Sequence, residues 1–125
     1  MTQTDKDLLL KDLCGRLPYG VKLETLEGPQ ELDIKWLSIN MCNIAHPYLP
    51  YLYPLSSMTE EQKEMYCQLQ ERVIYNSKGP VTEDVMNYVN WCYENNLDIN
   101  DLISKGLAIN ATNLGIYENK IIKKG

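Results

Sequence analysis

The residues that could perform catalysis are few in this chain. His46 is the only histidine, and it lies beside Pro47 in a predicted loop. Nucleophilic catalysis needs a base within hydrogen-bond reach of an activated serine or cysteine, and no Gly-x-Ser-x-Gly turn or other nucleophile motif accompanies His46. We therefore expect a packing or exposed histidine and no catalytic residue.

The sequence also predicts no metal site and no cofactor. The four cysteines lack the close pairs of a zinc site, no acidic loop of the calcium-binding type occurs, and the glycines form neither a Walker loop nor a Gly-x-Gly-x-x-Gly motif. Cys14, Cys67 and Cys92 fall beside apolar positions of predicted helices. That placement predicts buried, reduced thiols rather than disulfides.

A proline- and tyrosine-rich run, residues 47–62 (PYLPYLYPLSSMTEEQ), is the strongest pointer to function. Prolines remove amide donors, so they predict a segment that crosses the surface rather than a central strand. Aromatic rings on such a restricted backbone suit recognition of a partner, although the same rings could lie back on their own core. The candidate binding residues are Tyr48, Tyr51, Tyr53 and, on a predicted helix, Trp91.

Composition limits the classes of partner. The chain has 125 residues and a formal net charge of −5, which argues against a domain that wraps nucleic acid. No apolar run approaches the roughly 20 residues of a membrane span, and no secretion signal is recognised, so we expect a cytoplasmic protein. Three lysines in residues 118–125 predict a basic, frayed tail behind a single domain of residues 1–117.

Periodicity predicts the elements of the first half. Thr4 is expected to cap a helix over residues 5–17 with a leucine stripe. Alternation then predicts a strand at 21–26, a turn at 27–30 and a second strand at 32–41, paired as an antiparallel hairpin.

The second half is predicted to be mainly helical. Thr59 and Gln62 have the spacing of a capping box, so a helix is expected over residues 60–75, with its buried stripe on the sheet. Thr82 is expected to cap a third helix that ends at residues 95–96, followed by a helical turn at 100–104 and a brief strand at 107–109. The helix stripes are Tyr66, Leu69 and Val73, and Val85, Met86, Val89, Cys92 and Tyr93. These patterns predict an α+β fold, with about three helices packed on a short, mainly antiparallel sheet.

Three blocks of sequence carry a resemblance: residues 8–20 (LLLKDLCGRLPYG), 50–61 (PYLYPLSSMTEE) and 102–117 (LISKGLAINATNLGIY). Through them the chain resembles a family of short uncharacterised proteins encoded by phages and mobile elements of gut anaerobes. The family pattern often has an arginine where this chain has Tyr53, and a His-Phe-Asp-Tyr-Arg-like run at residues 96–100. The resemblance implies a genomic context and no particular activity.

These observations predict a non-catalytic accessory protein that binds a host or phage macromolecule, because the acidic balance suits a basic partner. A small-ligand binder that sequesters a nucleotide-like molecule, such as an immune signal, is the alternative, and an enzyme without a recognisable signature is a third. A nucleotide pocket would need cations near the tyrosines. The candidates are Arg16, Lys22, Lys35, Arg72 and Lys78.

Overall fold

Four α-helices and two short strand pairs form the described part of the chain, residues 2–42, 47–74 and 82–117 of a computed structural model. The fold is α+β as predicted, with four helices rather than three. Predictions for His46, residues 76–80 and residues 118–125 concern positions outside these ranges. The elements are α1 (Gln3–Arg16), β1 (Lys22–Thr25), β2 (Gly28–Glu31), α2 (Ile34–Cys42), β3 (Tyr51–Leu52), α3 (Glu60–Ile74), α4 (Thr82–Glu94) and β4 (Ile109–Asn110).

Helix α1 begins earlier than predicted, because Thr2 rather than Thr4 caps it. The Thr2 hydroxyl accepts the Asp5 amide at 3.1 Å, and the Asp5 carboxylate accepts the Thr2 amide at 3.5 Å. Thr4 has the same spacing to Asp7, but the Asp7 carboxylate accepts the Gln3 side-chain amide at 2.8 Å. The sequence therefore offers two threonine–aspartate pairs with the spacing of a cap. The helix starts at the first pair because an earlier start adds further helical hydrogen bonds.

An antiparallel hairpin is present as predicted, but the predicted turn at 27–30 is wrong, because β2, the second strand, occupies most of it. β1 and β2 pair antiparallel, with Leu23 opposite Gln30. The predicted strand at 32–41 is wrong: α2 occupies most of it, capped by the Asp33 carboxylate, which accepts the Trp36 amide at 2.9 Å. Leu37 and Asn40, three residues apart, are its buried positions. The alternation of apolar residues shifts by one position near Trp36 because these residues follow the period of a helix rather than that of a strand.

The prediction that the proline-rich run only crosses the surface is also wrong. Pro50 is fully buried, and its carbonyl accepts the Ile109 amide at 2.8 Å. β3 follows it and pairs parallel with β4, while Glu24 of β1 donates its amide to the Leu49 carbonyl at 2.9 Å. A proline is tolerated here because the neighbouring strand uses its carbonyl as an acceptor and does not need the amide donor that proline lacks.

Helix α3 starts as predicted. The Thr59 hydroxyl accepts the Gln62 amide at 3.1 Å, and the Gln62 side-chain oxygen accepts the Thr59 amide at 2.9 Å. Leu69 is its buried residue, but the packing partner of α3 is α4 rather than the strands. Between the two helices, the Tyr66 and Tyr88 hydroxyls are hydrogen-bonded at 3.1 Å.

The segment after α4 is held by turns rather than by the predicted helical turn at 100–104. α4 includes Thr82 as its first residue and ends at Glu94. The Asp98 carboxylate accepts the amides of Leu102 at 2.7 Å and Ile103 at 2.9 Å. The predicted brief strand at 107–109 appears as β4, shifted toward the C-terminus.

Among the described residues, the main core cluster collects side chains from α1, β1, α2, β3 and residues 102–117, and none from α3 or α4. Leu9 and Leu13 of α1 are fully buried, as their periodicity predicts. The prediction of buried thiols is correct for Cys92 and wrong for Cys14 and Cys67, which are exposed free cysteines, because the stripes of α1 and α3 are narrower than the sequence suggests. The core cluster also includes Val21, Leu23, Leu32, Leu37, Tyr51, Leu52, Leu102, Leu107, Ala108, Ala111 and Tyr117.

A buried ion pair ties α1 to the second half of the chain. The Arg16 Nε donates to Asp12 Oδ2 at 2.6 Å, and both side chains are fully buried. Arg16 Nη2 donates to Asp12 Oδ1 at 3.1 Å and to the Leu97 carbonyl at 2.7 Å. Asn100 Nδ2 also donates to Asp12 Oδ1, at 2.7 Å, and the guanidinium carbon lies 4.6 Å from the centre of the Tyr93 ring. One helix is thereby joined to α4 and to the segment that follows it.

None of the described helices is long and apolar enough to cross a membrane.

Leu69→Ala should lower the free energy of unfolding by about 2–5 kcal/mol, since it removes buried contacts with α4 and leaves a cavity. Thr59→Ala should cost only about 1 kcal/mol by removing the cap. Gln68→Ala, at an exposed position beside Leu69, is the control and should be close to neutral. Urea denaturation of the three variants measures the differences, and a harmless Leu69→Ala would contradict the α3–α4 packing.

Arg16→Met should destabilise the fold by about 3–5 kcal/mol, because it leaves the Asp12 carboxylate buried without its cation. The double variant Asp12→Leu with Arg16→Met should cost less than the sum of the two single changes. Lys63→Met, which breaks the exposed pair with Glu60, is the control and should change stability by less than about 1 kcal/mol. Additive costs in this double-mutant cycle would show that the pair is not coupled.

Candidate binding surface

Tyr51, the central residue of the predicted tyrosine site, belongs to the core. Its side chain lies on β3 and is 8% exposed. Its backbone carbonyl accepts the Tyr117 hydroxyl at 2.8 Å. The short strand that carries Tyr51 directs the ring inward, so this residue positions its neighbours rather than presenting a surface.

Tyr53 is half-buried beside Tyr117. Its ring centre lies 5.7 Å from that of Tyr117, and burial raises the pKa of its hydroxyl above the usual value. Its backbone is held by the segment after α4: the Tyr53 amide donates to the Asn96 carbonyl at 2.8 Å, and the Tyr53 carbonyl accepts the Asp98 amide at 2.9 Å. Part of this side chain remains accessible, on a backbone held by two hydrogen bonds.

Tyr48 is half-buried on the other side of the segment, against α2. The buried Asn40 holds its backbone, because Asn40 Oδ1 accepts the Tyr48 amide at 2.6 Å and Asn40 Nδ2 donates to the Tyr48 carbonyl at 2.8 Å. The Tyr48 ring meets Trp36 edge to face, with ring centres 5.5 Å apart. The sequence did not single out Asn40, and only its three-residue spacing from Leu37 on a helix would have marked it.

Trp91 is half-buried on α4, away from the α4 stripe as predicted. Its carbonyl accepts both the backbone and the side-chain amide of Asn95, at 3.1 and 2.8 Å. The ring contacts among the described residues join Tyr48 to Trp36, Tyr53 to Tyr117 and Tyr66 to Tyr88, and none of them involves Trp91. The four predicted binding residues therefore divide into one core residue and three half-buried ones on separate elements.

Tyr117 is a positioning residue that the sequence analysis missed. Its hydroxyl accepts the Lys22 amide at 2.7 Å and donates to the Tyr51 carbonyl at 2.8 Å, which links β1 to β3. Burial raises the pKa of this hydroxyl above its usual value. The only sequence signal was its place at the end of the last apolar block.

The largest departure from prediction is on α4. Val85 and Met86 were expected to face inward, but their side chains are 39% and 53% exposed. Cys92, further along the same stripe, is fully buried, and desolvation raises the pKa of its thiol to about 12. Periodicity correctly predicted one apolar stripe on α4. The rest of the domain buries this stripe at its C-terminal end, at Cys92, and leaves Val85 and Met86 exposed.

The α3–α4 pair also carries the acidic charge of the chain. Seven carboxylate side chains and two cationic ones lie on these helices, so their net charge equals the −5 of the whole sequence. Glu60 and Glu61 begin α3, and Glu83 and Asp84 begin α4, where the helix dipole favours anions. The helix pair therefore combines exposed apolar side chains with a strongly negative net charge, and we call the surface of residues 60–74 and 82–94 the α3–α4 face.

The cations proposed for a nucleotide pocket are engaged elsewhere or dispersed. Arg16 is buried with Asp12, and Lys22 Nζ donates to the Ile116 carbonyl at 3.3 Å. Lys35 Nζ lies 5.2 Å from the centre of the Trp36 ring. Arg72 lies in the last turn of α3. Lys78 is outside the described residues.

Among the described residues, no group of three or more His, Cys, Asp or Glu side chains is placed to hold a metal ion. No family model, curated protein or solved structure matches this chain.

Tyr51→Ala should lower the free energy of unfolding by about 3–5 kcal/mol, because it removes a core ring. Tyr48→Ala is the matched control: its ring is half-buried at the other end of the same segment, and its loss should cost clearly less. Thermal and urea denaturation measure both. Unchanged stability in Tyr51→Ala would mean that this ring is free to contact a partner.

Proposed function

We propose that this chain is a cytoplasmic, non-catalytic accessory protein that acts by binding a basic host or phage macromolecule, most simply a protein, at the α3–α4 face. Its four cysteines are free, which suits a reducing compartment. The phage or mobile-element context is the one that its sequence resemblance implies.

The observation that carries this proposal is the coincidence of exposed apolar side chains with concentrated negative charge. Val85 and Met86 offer apolar contact area, and a desolvated apolar contact surrounded by charges is the usual anatomy of a protein interface. The net charge of −5 on the two helices would attract a positively charged partner and speed its association. Nucleic acids and anionic lipid surfaces carry the same sign of charge as this face and would be repelled.

A nucleotide-like ligand receives weaker support. Lys35 beside Trp36 and Tyr48 is the nearest approach to the required combination of a cation and aromatic rings. Asp33 lies at the same helix start, where its carboxylate already accepts the Trp36 amide. That carboxylate opposes a phosphate at the position where Lys35 would bind one, so a basic macromolecule remains the better partner.

A photo-crosslinking amino acid placed at Met86 should capture a partner in cells that carry the gene, whereas the same substitution at Leu114, which is similarly exposed at 52%, should not. The purified partner should then bind the wild-type chain, bind Val85→Asp at least about tenfold more weakly, and lose affinity as salt rises. Leu114→Asp is the matched control for binding. Equal capture from both positions, or turnover of a substrate in a broad activity screen, would contradict the proposal.

A further inference from the structure

We infer that the partner segment is a basic, amphipathic α-helix from another polypeptide, which packs along the first two turns of α4 as a third helix beside α3. This inference rests on the proposed function and names the chemistry of the partner for the same α3–α4 face.

The covered end of the α4 stripe shows what kind of element fits it. There, Tyr93 packs against α1 at Gly15, where a Cβ atom would lie only 2.6 Å from Tyr93 Cε2. The Arg16 guanidinium lies over the same ring. A helix therefore covers the stripe at its C-terminal end, in close contact made possible by a glycine.

The uncovered end continues the same pattern. Exposure rises along the stripe from the fully buried Cys92, through the half-buried Val89, to Val85 and Met86. Side chains three and four residues apart form the ridges that pack into the grooves of another helix, and Val85, Met86 and Val89 have that spacing. A helix with apolar residues at three- and four-residue spacing can pack on this surface by the same rule.

The charge of the α3–α4 face determines which kind of helix can bind it. A second copy of the chain would bring two α3–α4 faces together, each with a net charge of −5, and like charges at an interface are unfavourable. A helix with lysine or arginine on its polar face would instead place cations near Glu83, in the same turn of α4 as Val85 and Met86. The occupant is therefore basic as well as amphipathic.

Two synthetic peptides of identical leucine–lysine composition test the inference. In one, the leucines follow helical spacing and form a single face; in the other, they are rearranged so that no face forms. Titrated into the isotopically labelled full chain, the amphipathic peptide should shift the backbone NMR signals of residues 82–89 and bind at least about tenfold more tightly than its isomer. Far-ultraviolet circular dichroism should show helix formation in the bound peptide.

Variants of the chain locate the contact. Val85→Ser with Met86→Ser should weaken the amphipathic peptide at least about tenfold, whereas Leu114→Ser should leave its affinity unchanged. Glu83→Gln should weaken it about two- to threefold at low salt, with the difference shrinking at high salt. Unchanged binding by the double serine variant would overturn the inference.

The outcomes separate the inference from the proposed function. If both peptides bind residues of the α3–α4 face equally, the acidic face recognises basic chains without regard to helical form, and only the inference falls. If neither peptide binds and the crosslinker at Met86 captures no partner, the proposed function falls with it. Concentration-dependent association of the chain with itself through residues 82–89, seen by sedimentation, would also overturn the basic-helix inference.

Discussion

The buried pair between Asp12 and Arg16 is the interaction on which the arrangement of the helices depends. Two charges that lose water cost several kcal/mol each unless every remaining polar group is satisfied. The cost is offset here by groups from distant parts of the chain: the Leu97 carbonyl, the Asn100 amide and the face of the Tyr93 ring. Within this cluster, Arg16 Nη1 has no hydrogen-bond acceptor among the described residues. The charges can therefore be buried only when α1, α4 and the segment after α4 are together.

That requirement fixes one end of α4. Tyr93 holds its C-terminal end beside α1, and α3 packs against the same helix. The same stripe is thus core at one end and surface at the other. The exposed end of this stripe supplies the apolar residues on which the proposed binding role depends.

Local signals in the sequence predicted some elements well and failed where tertiary contacts decide. The capping box of Thr59 and Gln62 was predictable because it involves four consecutive residues. The apolar residues of α2 fit both a strand period and a helix period over a short stretch, and the Asp33 cap is the local feature that distinguishes the two. The tyrosine segment was judged by its prolines, but Pro50 uses its carbonyl in the core. Burial of Tyr51 and exposure of Met86 both depend on neighbours far away in sequence, which periodicity cannot reveal.

The hydroxyl of Tyr117 has a consequence for how the chain folds. It joins the Lys22 amide, 95 positions earlier, to β3, and Asn100 reaches Asp12 across 88 positions. Contacts with such long sequence separation form late and slow folding, because the loop-closure entropy is lost before the contacts compensate for it. During synthesis the hydrogen bonds from Lys22 to Tyr117 and from Asn100 to Asp12 cannot form until residues 100 and 117 have been added. The core is incomplete for that period, and aggregation can then compete with folding.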